Sequence, residues 1–384
     1  MAQRVPQVRL SSFYLAYFAI LGVLIPYWPL YLQEAGHDPA RIGVIMAIIP
    51  ATKIISPACW GWLADHTGRT LRLIRWAAFL SLAGFCGLFV ERTGLATLVG
   101  VMVVFSFCWN ATLPLFETIT LGHLAHQMSR YSRIRLWGSV GFIGTVWGMG
   151  EILDGFLPLV RLPEMIAILL GLQWLVSLLV PPCAEAHPAG SNLSMRGILK
   201  RGEVIGFFLA ALLLQVAHGP YYAFYSVYLD GHGFSDSAIG QLWALGVLAE
   251  IGLFLVLHRV YHYLSLRTLF LGSLALSVVR WLMIGWGIES LSLLVIAQLL
   301  HAVTFGCAHA AAILIVHKNF QGPHHAKGQA LYSGICYGLG GAIGSVYSGQ
   351  LWTVWGPAWV FTAAAGVSLF GWLIAWPTVG RKGR

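Results

Sequence analysis

The sequence predicts an all-α membrane protein whose twelve transmembrane helices form two parallel halves of six helices each. The first observation is composition: 58% of the 384 residues are hydrophobic and only 10% are charged, whereas soluble domains contain about 25% charged residues. The second is that the apolar residues form stretches of the roughly 20 residues that a helix needs to cross the hydrocarbon core. The third is a partial repeat of the first half of the chain in the second.

Twelve apolar stretches are long enough to be spans, and short polar gaps separate them. This many spans leaves almost no residues for a soluble domain, so we expect the function to reside in the membrane part itself. The predicted spans lie near 10–32, 41–63, 72–90, 95–122, 134–152, 158–181, 203–229, 237–257, 268–288, 290–317, 328–350 and 355–377.

The net charge of +9 at pH 7 is distributed unevenly over the gaps between the spans. Lys and Arg crowd into every second gap and both ends, while the opposite gaps hold only Arg41, Arg92 and Arg161. An excess of Lys and Arg marks the cytoplasmic side of a membrane protein. We therefore expect both termini to be cytoplasmic in the inner (plasma) membrane, and we attribute the basic charge to topology rather than to a nucleic-acid partner.

The chain shows no pattern typical of a metal or cofactor site. Its six cysteines lack metal-ligand spacing, and most lie within predicted spans. The start of the chain carries two arginines before the first span and no small-residue cleavage site, so we predict an uncleaved first helix rather than a signal peptide.

A duplication divides the chain into two halves around a polar linker. We predict an N-terminal half at 1–182, a cytoplasmic linker at 183–202 and a C-terminal half at 203–384. The segment from Tyr31 to Gly43 is echoed 197 residues later, with the same Tyr-Leu, Gly and Ile-Gly positions. Because six is an even number of spans, both halves insert with the same orientation. Glycines concentrated in spans 5 and 11 allow close helix packing, which serves either static packing or rocking of the halves.

The gap between spans 2 and 3 carries a motif made of Gly61, Leu63-Ala64-Asp65 and Gly68-Arg69. It resembles the cytoplasmic loop signature of the major facilitator superfamily, although His66 and Thr70 replace two of its usual basic residues. The resemblance implies a gating loop in which Asp65 and Arg69 form a cytoplasmic latch. A simple Gly-Arg turn with topogenic charge is the alternative interpretation.

Most of the chain is similar to the lactose permease group of that superfamily, and more specifically to its phenylpropionate permeases. The similarity rests on Glu117 with Arg133-Ile-Arg135-Leu-Trp-Gly, on Leu-Ala-Glu250, on Ser-Val-Val-Arg280 and on Leu-His301. It implies that these acid, arginine and histidine positions face a central cavity and bind substrate or couple protons. Thr304 departs from the lactose permease, which has a proton-binding carboxylate there, so a coupling proton must use another group.

Lys53, Glu117, Glu250 and Arg280 are charges embedded in predicted spans. Such a charge costs roughly 3 kcal/mol on insertion scales and marks a functional site by default. Glu250 with Arg280 is alternatively a structural ion pair, and Glu117 a static partner of a snorkelling Arg135. Lys53 has no obvious acid in the first half, which points to an anionic ligand.

Polar and aromatic residues flank the predicted helix breaks in spans 1 and 7. Gln215 and His218 share one face of span 7 just before Gly219-Pro220, and Pro26 and Pro29 are predicted to break span 1 at a similar depth. We predict that Gln215, His218 and His301 contribute to substrate binding, with His301 alternatively a hydrogen-bonded core residue. Nearby aromatic side chains either stack on an aromatic ligand or belong to interfacial belts: Tyr27, Trp28, Tyr221, Tyr222, Phe224 and Tyr225.

These residues predict a monomeric secondary active transporter, not an enzyme, that rocks its halves around the cavity. The predicted process is proton-coupled uptake of a small anionic compound such as an aryl carboxylate. Lys53 and Arg280 attract the carboxylate, and Glu250 takes the proton with Arg280 and His301. Alternatives are a drug or metabolite exporter, a nucleoside or sugar proton symporter, an intramembrane enzyme using His301 or His309, and a substrate-sensing receptor. The family resemblance implies that an exporter would carry a Gly-Pro element in span 5, and residues 134–152 contain no proline, which argues for import.

Overall fold

The computed structural model describes residues 5–90, 94–124, 127–183 and 195–380, and this part of the chain is helical without a strand. Its long helices agree with the twelve predicted spans and confirm the fold class. They are α1 (Gln7–Glu34), α2 (Pro39–Thr67), α3 (Thr70–Phe89), α4 (Leu95–Leu124), α5 (Tyr131–Gly155), α6 (Leu162–Leu179), α7 (Gly202–Asp230), α8 (Asp236–Tyr263), α9 (Leu266–Trp286), α10 (Leu291–Asn319), α11 (325–355) and α12 (Pro357–Thr378).

Ten of these helices are long and apolar enough to cross a membrane by length and composition. The other two, α5 and α11, are the glycine-rich helices, and both pack against the opposite half of the molecule. Their small residues serve close helix–helix contact rather than lipid contact, which explains their lower hydropathy.

The predicted helix breaks had different outcomes. In α7, the helix ends at Ala217 and restarts at Gly219, with His218 between the two pieces. In α1, by contrast, Pro26 and Pro29 lie inside one continuous helix, so the predicted break there is wrong. Proline removes a backbone hydrogen bond, but neighbouring helices in a membrane bundle can hold the helix together across it.

The duplicated segment adopts the same local structure in both halves. Gly36 and Gly233, which correspond in the repeat, have positive φ angles of 85° and 79°. Two residues later, Asp38 and Ser235 each cap the next helix by accepting the backbone N–H three residues on, at 2.9 and 3.2 Å. The predicted linker at 183–202 includes 184–194, which lie outside the described residues, so its bounds and those of the halves stay predictions.

Glycines bring the backbones of the two halves into close contact towards one end of the molecule. A Cβ on Gly43 would lie 2.6 Å from the carbonyl oxygen of Ser345, and a Cβ on Gly240 would lie 2.5 Å from that of Val146. Towards the other end, glycines of α2, α8 and α11 have no atom within 4 Å of an added Cβ: Gly61, Gly252 and Gly334. The surface along which the two halves meet is called the seam. It is closed at the end predicted to be extracellular, and it opens towards the predicted cytoplasmic end.

A set of hydrogen bonds between α5 and α8 holds the closed end. The carboxylate of Asp154 accepts the backbone N–H groups of Asp236 and Ser237, both at 2.9 Å. Glu151 Oε1 accepts the Ser237 hydroxyl at 2.5 Å and the Gln241 amide at 3.3 Å. The first half thus supplies the anion that caps the N-terminus of a helix in the second half, where a negative charge is favoured.

Removing this cap should loosen the closed end. We expect Asp154→Ala to leave the first N–H groups of α8 uncapped, at a cost of about 1 kcal/mol. Amide hydrogen exchange at residues 236–240 should then be roughly five times faster, whereas Glu34→Ala, which removes an exposed carboxylate at the same end, should leave it unchanged. Equal exchange in Asp154→Ala and the unmodified protein would show that the cap does not hold the seam.

Candidate substrate and proton site

Charged side chains from both halves line the open part of the seam. Arg135 Nε lies 3.9 Å from Glu117 Oε1, and the two side chains are 32% and 38% exposed. The Arg135 guanidinium also covers the ring of Phe18 at 4.2 Å. Gly138 makes room for this arrangement, since a Cβ there would lie 2.8 Å from Arg135 Nη1. The expected Glu117–Arg135 pair is present, and its exposure keeps both charges available to a ligand.

Lys53 lies where the tight part of the seam ends. Its Nζ is 5.8 Å from the centroid of the Tyr337 ring, across the seam in α11. Among the described residues it has no ion pair or hydrogen bond, although Glu117 and Arg135 are close enough for their charges to act on it. The expectation that the first half offers Lys53 no acid is thus partly corrected, because the field of Glu117 reaches it.

Glu250 reaches towards α10 rather than towards Arg280. Its Cγ would lie 3.2 Å from a Cβ at Gly306, so the missing side chain of this glycine provides its space. Within the described part of the chain, Glu250 has neither an ion pair nor a hydrogen-bond partner, and the charge that acts on it is Arg135 of the other half. The alternative interpretation, in which Glu250 and Arg280 form a structural ion pair, is therefore wrong.

Arg280 is instead enclosed in the core of the second half, with no exposed surface. Its Nε donates to the carbonyl oxygen of Ala297 at 2.9 Å, and its Nη1 donates to Thr304 Oγ1 at 3.3 Å. Its guanidinium lies 4.3 Å from the Tyr221 ring and 4.6 Å from the Trp281 ring. Nη2 has no partner among the described residues. Arg280 thus resembles Lys53, because neither cation forms an ion pair with an acid in the described part of the chain.

The other predicted polar residues of the second half are buried like Arg280, and with it they form a sealed polar layer. His218 binds the Leu214 carbonyl oxygen through Nδ1 at 2.7 Å, and its Nε2 has no partner. His301 is 5% exposed with an unpartnered Nδ1, and the two imidazole centroids are 6.4 Å apart. Gln215 is also buried, with its Cβ against Gly340 of α11.

Sequence reasoning missed Gln298, which completes this layer. Its Oε1 accepts the Tyr221 hydroxyl at 2.9 Å, while its Nε2 is buried without a partner. Gln298 lies three residues before His301 on α10, a spacing that places both on one helix face. The predicted binding residues therefore form two groups: Lys53, Glu117 and Arg135 at the open seam with Glu250, and Gln215, His218, Arg280 and His301 behind it.

His309 also has a place at the seam that the sequence did not indicate for transport. Its Nδ1 lies 2.7 Å from the Tyr337 hydroxyl and 3.4 Å from that of Tyr332. Parts of α10 and α11, Ala302–Cys307 and Ser333–Gly340, are π-helical, a feature that often marks functional positions. The His301–Phe305–His309 ring stack connects the sealed layer with the open seam.

Most of the aromatic residues predicted to stack on a ligand are core residues. Burial applies to five of them: Tyr27, Trp28, Tyr221, Phe224 and Tyr225. Only Tyr222 is partly exposed. The rings that flank the accessible charges are instead those of Phe18 and Tyr337.

The predicted gating loop forms a tight turn between α2 and α3. Gly68 ends α2 with φ 59°, and its N–H donates to the Ala64 carbonyl oxygen at 2.9 Å. Asp65 in the last turn of α2 and Arg69 before α3 are exposed and form no ion pair with each other. The left-handed conformation at position 68 explains the glycine there, whereas a Cβ added at Gly61 would meet no atom within 4 Å. The latch role of this loop stays a prediction.

Comparison with known proteins identifies the class of transporter. The model of the MFS_1 like family matches residues 7–363, so the chain belongs to that family. It is therefore a membrane transporter of the major facilitator superfamily with a small-molecule substrate, and the enzyme interpretation built on His301 or His309 is set aside.

Several curated transporters are similar to this chain over most of its length. A "Probable 3-phenylpropionic acid transporter" of Escherichia coli (strain K12) is 29% identical, covering 93% of this chain and 94% of that protein. A maltose permease of Geobacillus stearothermophilus is 26% identical, with 89% and 87% covered. A xanthosine permease of Escherichia coli (strain K12) is 23% identical, with 90% and 87% covered.

The fold is shared with solved transporter structures. The crystal structure of the nucleoside transporter NupG superposes with a TM-score of 0.82, at 17% identity, over 98% of this chain and 99% of that one. The similarity in shape agrees with two six-helix halves around a central seam.

The two groups of polar residues should differ in their access to reagents. In a background with Cys59→Ser, which removes an exposed thiol, we expect Lys53→Cys and Glu250→Cys to react readily with a small methanethiosulfonate. Arg280→Cys and His301→Cys should react at least about tenfold more slowly, because thiol reactivity requires exposure. Equal rates at all four positions would contradict the division into an open and a sealed group.

Proposed function

We propose that this transporter imports a small aromatic carboxylate together with a proton. The observation that carries the proposal is Lys53: a cation without an ion pair, partly exposed at the narrow end of the open seam, beside the Tyr337 ring. An unpaired cation embedded in a membrane helix invites an anionic ligand, and the neighbouring ring offers an apolar face to an aryl group. The name of the 3-phenylpropionic acid relative agrees with this substrate class.

In this proposal the substrate carboxylate lies between the cations of the first half. Lys53 and Arg135 attract it, and the carboxylate takes over part of the contact that Glu117 makes with Arg135 at 3.9 Å. Gln215 and His218, one layer behind, complete the binding site when the halves rock.

Glu250 is the proposed proton carrier because, among the described residues, it has no ion pair or hydrogen-bond partner, and Arg135 of the other half is close enough for its charge to act on it. A nearby cation favours the ionised form of a carboxyl group. When a substrate anion neutralises Arg135, that effect weakens and Glu250 binds a proton more readily. Substrate and proton then favour each other's binding, as thermodynamic linkage requires for symport.

Arg280 and His301 have a supporting part in the proposed coupling. Their unpartnered Nη2 and Nδ1 atoms lie in the layer behind the open seam, and Phe305 stacks between His301 and His309. We propose that this layer is exposed to water or substrate in the alternate conformation, when the seam opens at its other end.

The proposed orientation has both termini in the cytoplasm of a cell whose inner membrane holds the protein as a monomer. The positive-inside distribution of Lys and Arg supports this orientation of the termini. With that orientation the open end faces the cytoplasm, and the Asp65–Arg69 loop belongs to a cytoplasmic gate that closes in the outward-open state.

A nucleoside or sugar proton symporter is the second candidate. The xanthosine and maltose permeases among the relatives favour it, and so does the sealed amide and imidazole layer of Gln298, His218 and His301, since such groups hydrogen-bond neutral hydroxyl-rich compounds. This candidate assigns no role to the charge of Lys53. Removing that charge therefore distinguishes the two candidate functions.

Lys53 decides between these substrate classes. We expect 3-phenylpropionate to raise the thermal stability of the unmodified protein and of Lys53→Arg, but not of Lys53→Gln, because a charge-assisted hydrogen bond contributes about 1.5–3 kcal/mol. The Kd should rise roughly 10- to 100-fold in Lys53→Gln.

The matched control is Lys318→Gln, which removes an exposed lysine of α10 and should respond like the unmodified protein. Stabilisation by nucleosides or sugars that persists in Lys53→Gln, with no response to aryl acids in any variant, would favour the second candidate.

Glu250 decides whether transport is coupled to protons. In proteoliposomes with an acidic outside, we expect Glu250→Gln to lose uphill accumulation of 3-phenylpropionate while it still exchanges labelled for unlabelled substrate, because a permanently neutral side chain no longer alternates its charge. Glu250→Asp should keep part of the accumulation. Accumulation by Glu250→Gln at the unmodified level would overturn this assignment.

A further inference from the structure

A second cavity lies on the outer face of the first half, away from the seam. It is a groove of about 540 Å³ between α3 and α6, lined by Arg72, Arg75, Trp76, Phe79, Trp174 and Leu178. The two arginines lie near the start of α3, and the remaining lining is aromatic or aliphatic. The groove shares no residue with the proposed substrate and proton site.

The four α3 residues lie on one helix face because their spacing follows the helical repeat. Phe79 is about 10 Å deeper in the membrane than Arg72, given the rise of about 1.5 Å per residue. Phe79 packs against Trp174 of α6 with centroids 5.4 Å apart, and Trp76 is 54% exposed at the rim. The groove therefore changes from basic to apolar along the direction of the membrane normal.

The two arginines differ in how they are engaged. Arg75 closes the C-terminal end of α6: its Nε donates to the Ser177 carbonyl oxygen at 3.3 Å, and its Nη2 donates to those of Leu178 and Val180 at 3.2 and 3.0 Å. Arg72 is exposed and has no hydrogen bond or ion pair within the described residues. One guanidinium is thus fixed in place, with Nη1 unused, and a free one lies a helical turn away.

We propose that this groove binds an anionic phospholipid of the leaflet on the predicted cytoplasmic side. The phosphate pairs with Arg72 and with Nη1 of Arg75, since guanidinium groups match phosphate oxygens in geometry and charge. An acyl chain covers Phe79 and Trp174 below. Basic pockets between membrane helices on the cytoplasmic side suit anionic head groups, and the apolar lower part distinguishes a lipid from a soluble phosphate.

Such a lipid would act on the predicted gating loop. Arg72 is the third residue of α3, directly after the Gly68-Arg69 turn. A bound lipid would hold the start of α3 and the end of α6 together at the membrane surface. It would stabilise the first half as one body without changing the substrate class.

The test compares lipids of equal chain length but different head-group charge. In nanodiscs of phosphatidylcholine with or without about 30% phosphatidylglycerol, an anionic lipid of the kind that basic pockets attract, we expect phosphatidylglycerol to raise the Tm of the unmodified protein. In Arg72→Gln this shift should fall by at least about half. The control Arg259→Gln removes an exposed arginine of α8 that also lies towards the predicted cytoplasmic side, and it should keep the shift.

Native mass spectrometry gives a second measurement that does not depend on stability. The unmodified protein should retain one phosphatidylglycerol more tightly than phosphatidylcholine, and Arg72→Gln should lose this preference. The proposal is overturned if Arg72→Gln keeps the preference, if both lipids bind equally to the unmodified protein, or if inorganic phosphate alone reproduces the stabilisation.

Discussion

The cost of placing a charge in a bilayer is the constraint on which the rest of this structure depends. Each embedded charge must contact water or be enclosed by polar and aromatic groups. Lys53, Glu117, Arg135 and Glu250 meet this requirement at the open seam, where they remain partly exposed. Arg280 meets it in the opposite way, between two aromatic rings and two oxygen acceptors with no exposed surface. The transporter thus holds a set of accessible charges in front of a sealed polar layer.

Close packing of glycines determines where the accessible set lies. The contacts of Gly43 with Ser345 and of Gly240 with Val146 bring the backbones of the two halves together at one end. Lys53 lies beside the close contact of Gly338 with Ile54, so this accessible cation stands at the narrow end of the seam. The Asp154 cap on α8 adds a polar contact at the closed end that must break when the halves rock. The surface that packs the two halves together is therefore also the surface that must separate when the halves rock.

Several features were predictable because they depend on local spacing. The spans, the twofold repeat and the break at Gly219-Pro220 are visible as apolar length, as repeated residues and as a proline after a glycine. The Glu117–Arg135 pair was predictable from the family resemblance. The alternative of a structural Glu250–Arg280 ion pair was wrong, because sequence depth places both residues near mid-membrane but does not show that Arg280 turns into the core of its own half. Gln298 and the His309–Tyr337 contact were missed, since single polar residues in apolar stretches give no signal of their neighbours.

The sequence by itself determined that this chain is a twelve-helix membrane transporter, because hydropathy, charge distribution and the loop motif follow from the order of residues alone. It also determined which few charged side chains lie within the membrane-spanning helices, where burial of a charge is unfavourable. Only the tertiary structure decided which of them share a site. The reason is that side-chain direction and the approach of α2 to α11 and of α5 to α8 depend on packing between residues distant in the chain. Those contacts made Lys53 and Glu250 accessible and enclosed Arg280 and His301.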